Sequence, residues 1–426
     1  MTEAANDHAL PAEKDVVIIG GGIVGICSAI YLANSGLSVV VCEKGKVAAE
    51  QSSRNWGWIR KAGRDYRELQ LMIESAKLWG QLAAEVDEDI GYGIRGISYL
   101  SETEKELDEH RKWLKDNEGF EHGSRLIDRD EVSKILERDD HSFIGGLHSA
   151  NDATAEPALA VPAFARLAEK KGVTVIENCA VRTVESEGGK VRSVVTEHGE
   201  IRCRFAVMAG GAWARTFLEN MDIIIPQLAV KGSAMRTTQS PNFLAGAAGA
   251  KRASVRRRKD GGYTVAKSRA AEFQIIPAAF RHFKDFAPVM MDRVGLIKLR
   301  VSKQFFGPLG HHRWKSDEKT PFEEMRILDP ESDLGLMNKV LKEAKSLHPA
   351  LKDVEIAEAW AGMIDVMPDE VPVVEMAEKL DGFVIATGLS GHGFGTGPGI
   401  GKLVQQIVCG EEPMVDISPF KSSRFT

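Results

Sequence analysis

Ten residues, Val16-Val-Ile-Ile-Gly-Gly-Gly-Ile-Val-Gly25, constrain this chain more than any other stretch. Four β-branched residues predict a short buried strand, and Gly20, Gly22 and Gly25 follow it. A helix-forming run, Ile26 to Asn34, comes next, then a second apolar strand, Ser38 to Cys42, which ends in Glu43. A strand that turns sharply into a helix needs one glycine for the turn. It needs a second where backbone approaches a pyrophosphate, and a third where helix and strand pack closely. The helix start then offers unpaired N–H groups and a positive dipole end to phosphate. Glu43, 18 residues past Gly25, stands near the usual distance for a carboxylate on a ribose hydroxyl. Glycine triplets alone are often only tight turns. Strand, helix, strand and acid in this order predict a dinucleotide site, with Ile23, Val24 and Lys44 beside it.

A chain of 426 residues has ample length for two or three domains. Its five cysteines (Cys27, Cys42, Cys179, Cys203 and Cys409) include no CxxC pair and sit mostly in apolar runs. They read as buried thiols of a reducing compartment, with neither disulfides nor a metal site expected. Met1 to Lys14 is polar, unlike a signal peptide, and no later run is apolar enough to span a bilayer. A cytoplasmic protein is the expectation. The net charge of −6 hides an asymmetry: Ile223 to Lys315 carries 18 Lys and Arg against four acids. This basic stretch is either a solvated sheet face or a field that draws anionic substrates. Nucleic acid is not expected, because no aromatic residues interleave with the Lys251 to Lys259 cluster.

The pattern predicts two interleaved domains of α/β class, a Rossmann-like domain and an antiparallel-sheet substrate domain. Residues 14–92, 146–222 and 354–426 are assigned to the first, 93–145 and 223–353 to the second. Long helices are expected at Tyr66 to Val86 and Pro157 to Lys171, and an exposed one near Glu102 to Asn117. A hairpin turns at Gly188-Gly189, and buried strands run through Val173 to Asn178 and Phe205 to Ala209. From Pro226 to about Arg313 the alternation is that of strands, with a hairpin at Asp260-Gly-Gly262. Gly382 to Thr387 is a last buried strand. Gly397 to Val408 is a helix entered through the glycine-rich turn Gly388 to Gly399, with Pro398 suited to its first turn. A second glycine-rich helix start is odd for a nicotinamide enzyme but suits a flavin. Its N–H groups would stabilise the negative charge of the reduced ring.

Four motifs in order carry a resemblance to the D-amino-acid oxidase superfamily of flavoproteins. They are Gly20-x-Gly22-x-x-Gly25 with Glu43; Gln51-Ser-Ser-Arg-Asn-Trp-Gly-Trp58; Val207-Met-Ala-Gly-Gly-Ala-Trp213; and Trp360 to Pro372 leading into the Gly388 to Gly399 turn. The resemblance spans Asp15 to Phe425 and implies non-covalent FAD. Sarcosine oxidases place a cysteine where this chain reads Gly362 to Val366, and none is present. It implies that Gly20, Gly22 and Gly25 hold the pyrophosphate and Glu43 the ribose. Ser52, Ser53 and Arg54 would serve phosphate and ribityl oxygens, and Asn55, Trp56, Gly57 and Trp58 would run along the flavin. Val181 would pair with adenine, while Ala209, Gly210, Trp213 and Gly362 fall in matching motifs. Gly391, His392, Gly393, Phe394 and Gly395 would lie by the pyrimidine end, His392 through its backbone and optionally its imidazole.

The implied chemistry is oxidation of a carbon–nitrogen bond in an amino acid or N-substituted amino acid, with oxygen or another electron acceptor. A flavin subunit of a larger dehydrogenase and a non-catalytic flavin-fold ligand binder remain as alternatives. Many relatives place a carboxylate-binding arginine after the Trp-x-Gly motif; this chain has Met363-Ile364-Asp365. Asp365 is either a loop cap or a partner for a cationic substrate. The replacement anchor is sought in the basic sheet, with Arg256 first and Arg300 and Arg236 behind it. Trp58 stands where L-amino-acid deaminases carry a glutamine, and its large ring would narrow the pocket or stack on the substrate. Oligomeric state is not legible.

Overall fold

In the computed structural model, residues 9–292, 297–301 and 303–425 are described. In chain order, the elements that place the candidate site begin with β1 (Val16–Ile19), α1 (Ile23–Asn34), β2 (Val39–Cys42), α2 (Tyr66–Glu85), α3 (Pro157–Lys170), β3 (Thr174–Ile176) and β4 (Phe205–Met208). They continue with β5 (Leu228–Thr237), β6 (Ser254–Arg257), β7 (Tyr263–Gln274), α4 (Leu334–Lys345), β8 (Ile356–Val366), β9 (Val373–Met376), β10 (Phe383–Thr387) and α5 (Gly393–Cys409).

The most apolar strands form a six-stranded sheet in the order β9-β10-β4-β1-β2-β3. Five of these run parallel, and β9 closes one edge antiparallel to β10. All four residues of β1, and all four of β2, are buried, as expected of strands covered on both faces. Helices α1, α3 and α5 pack on one face. The hairpin Val181–Glu187/Lys190–Thr196 covers the other with Trp213 and Phe217, extended by a third strand, Gly199–Arg202, that periodicity did not suggest.

The second large sheet has nine strands, among them β8-β5-β7-β6 as consecutive neighbours. Alternation gives it two faces of different character. Met235, Val255 and Val265 point outward and bury against Met337, Val340 and Ala344 of α4. Ser254, Arg256, Thr264 and Ala266 lie on the opposite face, toward the parallel sheet. Strand β8 pairs with β5 from Ile356 to Val366, so segment 354–426, expected with the Rossmann-like domain, opens with a strand of this sheet.

Two expectations need correction. Strand alternation was expected through Arg313, but Pro277–Arg281 and Phe283–Asp292 are helical. Pro277 pre-sets the first helical turn, and Phe286, Val289 and Met290 repeat at helical spacing into a small apolar cluster. Helix α5 begins at Gly393, four residues before the expected Gly397, so Pro398 lies inside it. A proline there leaves the carbonyl of Phe394 without a helical N–H. Trp79 of α2 fills the gap with its indole N–H at 2.9 Å, and Ser75 accepts from Gly399 N–H at 2.9 Å.

Candidate functional site: a cleft between two helix starts

A cleft of about 1230 Å³, counting space continuous with solvent, runs from the start of α1 to the start of α5. At one end β1 delivers the chain into α1 through Gly20, whose φ is +110°. A Cβ there would lie 2.6 Å from the Ala209 carbonyl, and one on Gly25 would lie 2.0 Å from the Gly20 carbonyl. Only glycine permits both the turn and the close helix–strand contact. Helix α1 has no side-chain cap of its own; Ser52, 29 residues away, accepts the Ile23 N–H at 3.0 Å. Among the described residues, the N–H groups of Gly22 and Val24 meet no protein acceptor, and both residues line the cleft.

Glu43 closes this end. Its two oxygens accept from Gly21 N–H at 2.7 Å and Gly45 N–H at 2.8 Å. Burial raises its pKa above the usual carboxylate value, and the two amides oppose that shift. Each oxygen keeps a lone pair for a further donor. Val181, Ala209, Gly210 and Trp213 line the same end. The donor set, the glycine cradle and the open N–H groups suit a nucleotide diphosphate.

At the far end, Asp365 is the cap, not a free anion. One of its oxygens accepts from Gly388 N–H at 2.8 Å, Leu389 N–H at 2.9 Å and the Gln227 amide at 3.3 Å. It thereby holds the turn that aims the start of α5 at the cleft, which Gly391, Gly393 and Phe394 line. The His392 imidazole turns away. Its Nδ1 lies 2.8 Å from Glu68, which also pairs with Arg64 at 3.3 Å. Burial pushes the Glu68 carboxyl up, but His392 and Arg64 outweigh it and hold the pKa at about 2.

The remaining expected residues divide. Ile23, Val24, Lys44, Ser52 and Asn55 line the cleft. The Lys44 ammonium is held by Glu50 at 2.7 Å and stands over the Trp213 ring at 4.3 Å. Ser53 donates to the Glu50 carbonyl, and Arg54 to the carbonyls of Ala49, Leu328 and Ala361, so neither side chain turns to the cleft. Gly362 and Gly395 serve packing: a Cβ on the first would lie 2.1 Å from Gln51, on the second 3.1 Å from Met72. Trp56 and Trp58 stack edge to face at 5.8 Å, and Trp58 meets Tyr99 at 6.0 Å.

Arg256 does not offer a free guanidinium. Its Nε donates to the Trp56 carbonyl at 2.6 Å, and its terminal nitrogens fork onto Glu156 at 3.0 and 2.9 Å. The Arg257 carbonyl and the Thr264 hydroxyl, both at 3.2 Å, take the rest. Five donors meet five contacts, and none is left for a ligand carboxylate. Arg236 is engaged by Glu358 and Asp260, and Arg300 by Glu272. The cleft also recruits Gln51, Met363 and Leu389, which lie inside the motifs but were given no role by the sequence, and Phe217, Phe322 and Arg326, which lie outside them. Phe322 and Arg326 arrive from a distant segment, the short helix Pro321–Glu324 and the residues after it, and Arg326 is anchored by Glu197. Nothing in the local sequence signals them.

A family model described as FAD dependent oxidoreductase matches residues 15–407. Among solved structures, L-amino acid deaminase from Proteus myxofaciens, in complex with anthranilate, is 31% identical. It matches with a TM-score of 0.94, over 100% of this chain and 96% of that one. Glycine oxidase from Bacillus licheniformis is 22% identical over 96% of this chain and 97% of its own length. Mitochondrial dimethylglycine dehydrogenase from Mus musculus is 23% identical across this chain, which spans about half, 46%, of that relative.

Proposed function

This chain belongs to the FAD-dependent oxidoreductase family, and we propose that it oxidises the Cα–N bond of an amino acid or N-substituted amino acid to an imine, which water hydrolyses to an oxo acid. The observation that carries this reading is the end-to-end agreement with an L-amino acid deaminase at 31% identity. FAD is the cofactor, and when bound it supplies the two-electron acceptor for the substrate α-hydrogen.

In this reading the N–H groups of Gly22 and Val24 and the Ser52 hydroxyl hold the pyrophosphate, while Gly20, whose N–H goes to the Cys42 carbonyl, and Ile23, whose N–H goes to Ser52, shape the turn that presents them. Glu43 takes the ribose and Val181 the adenine. Asn55, Gly391, Gly393 and Phe394 border the ring, with the start of α5 stabilising negative charge there. Trp56 and Trp58 exclude water and bound the substrate side. Asp365 acts on the reaction only by fixing the Gly388–Leu389 turn. We assign the parallel sheet and its helices to cofactor binding and the nine-stranded sheet, including β8, to substrate. Among the described residues no helix is long and apolar enough to cross a membrane. A cytoplasmic location and oxygen or another diffusible acceptor are part of the proposal.

The test is anaerobic bleaching of the flavin absorbance by D- and L-amino acids, N-methyl amino acids and opines. Bleaching by one class identifies the substrate, and admitting air separates oxidase from dehydrogenase. A flavin that no member bleaches would overturn the reading in favour of a subunit that needs a partner.

A further inference from the structure

The five bonds of Arg256 join parts of the fold that are distant in sequence. Arg256 belongs to β6 of the nine-stranded sheet, Glu156 is the residue before α3 on the other sheet, and Trp56 lies in the loop that follows Ser52. Arg256 is 2% exposed and Glu156 5%, so solvent does not screen the pair. Glu156 also accepts the Lys259 N–H at 2.8 Å, which fixes it from a second direction. The loop is held at neighbouring points by Asn55, which accepts the Gly57 N–H at 2.8 Å, and by Ala155, whose N–H meets the Gly57 carbonyl at 3.0 Å. The loop in turn sits tightly on the sheet: a Cβ on Gly249 would lie 3.3 Å from the Trp58 ring.

We propose that Arg256, braced by Glu156, is a positioning residue: it fixes the Trp56–Trp58 loop over the nine-stranded sheet and so sets the gap in which substrate meets cofactor. The arrangement suits this role better than substrate binding, because the Nε–H reaches a loop carbonyl while the planar fork is consumed by a protein carboxylate. It rests on the amino-acid oxidoreductase reading for its kinetic consequence. A displacement of about 1 Å in a positioned substrate costs about a hundredfold in rate, far more than it changes binding.

The test uses the FAD-loaded Arg256→Lys protein. Lysine keeps the charge for Glu156 but cannot fork onto the carboxylate and also reach the Trp56 carbonyl. The limiting rate of anaerobic flavin reduction is expected to fall at least about tenfold, with the apparent Kd of the amino acid changed less than about threefold. Hydrogen exchange of the 52–60 backbone is expected to accelerate, and Glu156→Gln to shift both readouts in the same direction by less. A Kd raised more than about tenfold at an intact limiting rate would overturn the proposal and make Arg256 the carboxylate anchor. Unchanged exchange in both variants would also overturn it. If no amino acid bleaches the wild-type flavin, the functional reading fails on its own, and exchange of the loop still decides whether Arg256 positions it.

Discussion

The indole N–H of Trp79 donates to the backbone carbonyl of Phe394 at 2.9 Å, the carbonyl that Pro398 deprives of its helical partner. The same N–H reaches the Gly395 carbonyl at 3.1 Å, and Ser75 bridges Gly395 and Gly399. Helix α2 thus completes the first turns of α5, where glycines and a proline would otherwise weaken a helix. Those turns border the cleft, so the contact links helix stability to the cofactor site.

Trp79→Phe keeps a ring but removes the donor. Leaving the Phe394 carbonyl buried and unpaired is expected to cost about 1–3 kcal/mol, read as a lower midpoint in chemical denaturation. FAD should also dissociate faster from the variant. An unchanged midpoint would show that the helix start does not depend on this bond.

Gly25→Ala tests the first helix start. Its Cβ would sit 2.0 Å from the Gly20 carbonyl, so α1 must move off β1. The purified variant is expected to carry little flavin, measured as the ratio of visible to ultraviolet absorbance. Full FAD occupancy would contradict the close packing described.

Asp365 separates two roles by two substitutions. Asp365→Ala strands the N–H groups of Gly388 and Leu389 and is expected to cost about 1–3 kcal/mol for each. Asp365→Asn keeps one acceptor oxygen and should lose much less stability. Loss of activity toward cationic amino acids alone, in a fully stable Asn variant, would instead favour a substrate contact.

Glu68 gives a pH signature. Its folded pKa of about 2 lies below the ordinary 4.5, so between these values the unfolded chain binds more protons than the folded one. Its contribution is therefore present above pH 4.5 and lost as pH falls toward 2. Glu68→Gln is expected to flatten that part of the stability–pH curve, followed by denaturation at several pH values. Parallel curves for the two proteins would remove Glu68 from the account.

Much of the fold was legible because the information is local. The β1 glycines, the acid at Glu43 and the apolar strands Phe205–Met208 and Phe383–Thr387 follow from backbone demands and burial within a few residues. The hairpin at Asp260-Gly-Gly262 is of the same kind, with Gly261 at φ +86°. The helices at 277–292 do not stand out from the strands before them, because a short stretch that mixes apolar and charged residues satisfies strand and helix patterns alike until a partner surface selects one.

The sequence by itself determined that two glycine-rich turns open helices toward a nucleotide cofactor, since glycine spacing and the strand–turn–helix order are written within a few residues. Only the tertiary structure decided which charges are free. Arg256 meets Glu156 across 100 residues, His392 meets Glu68, and Asp365 meets the Gly388 turn. A side chain's identity fixes what it is able to bind, but a buried charge must be compensated by whatever the fold brings within reach, and that neighbour is a property of packing in three dimensions.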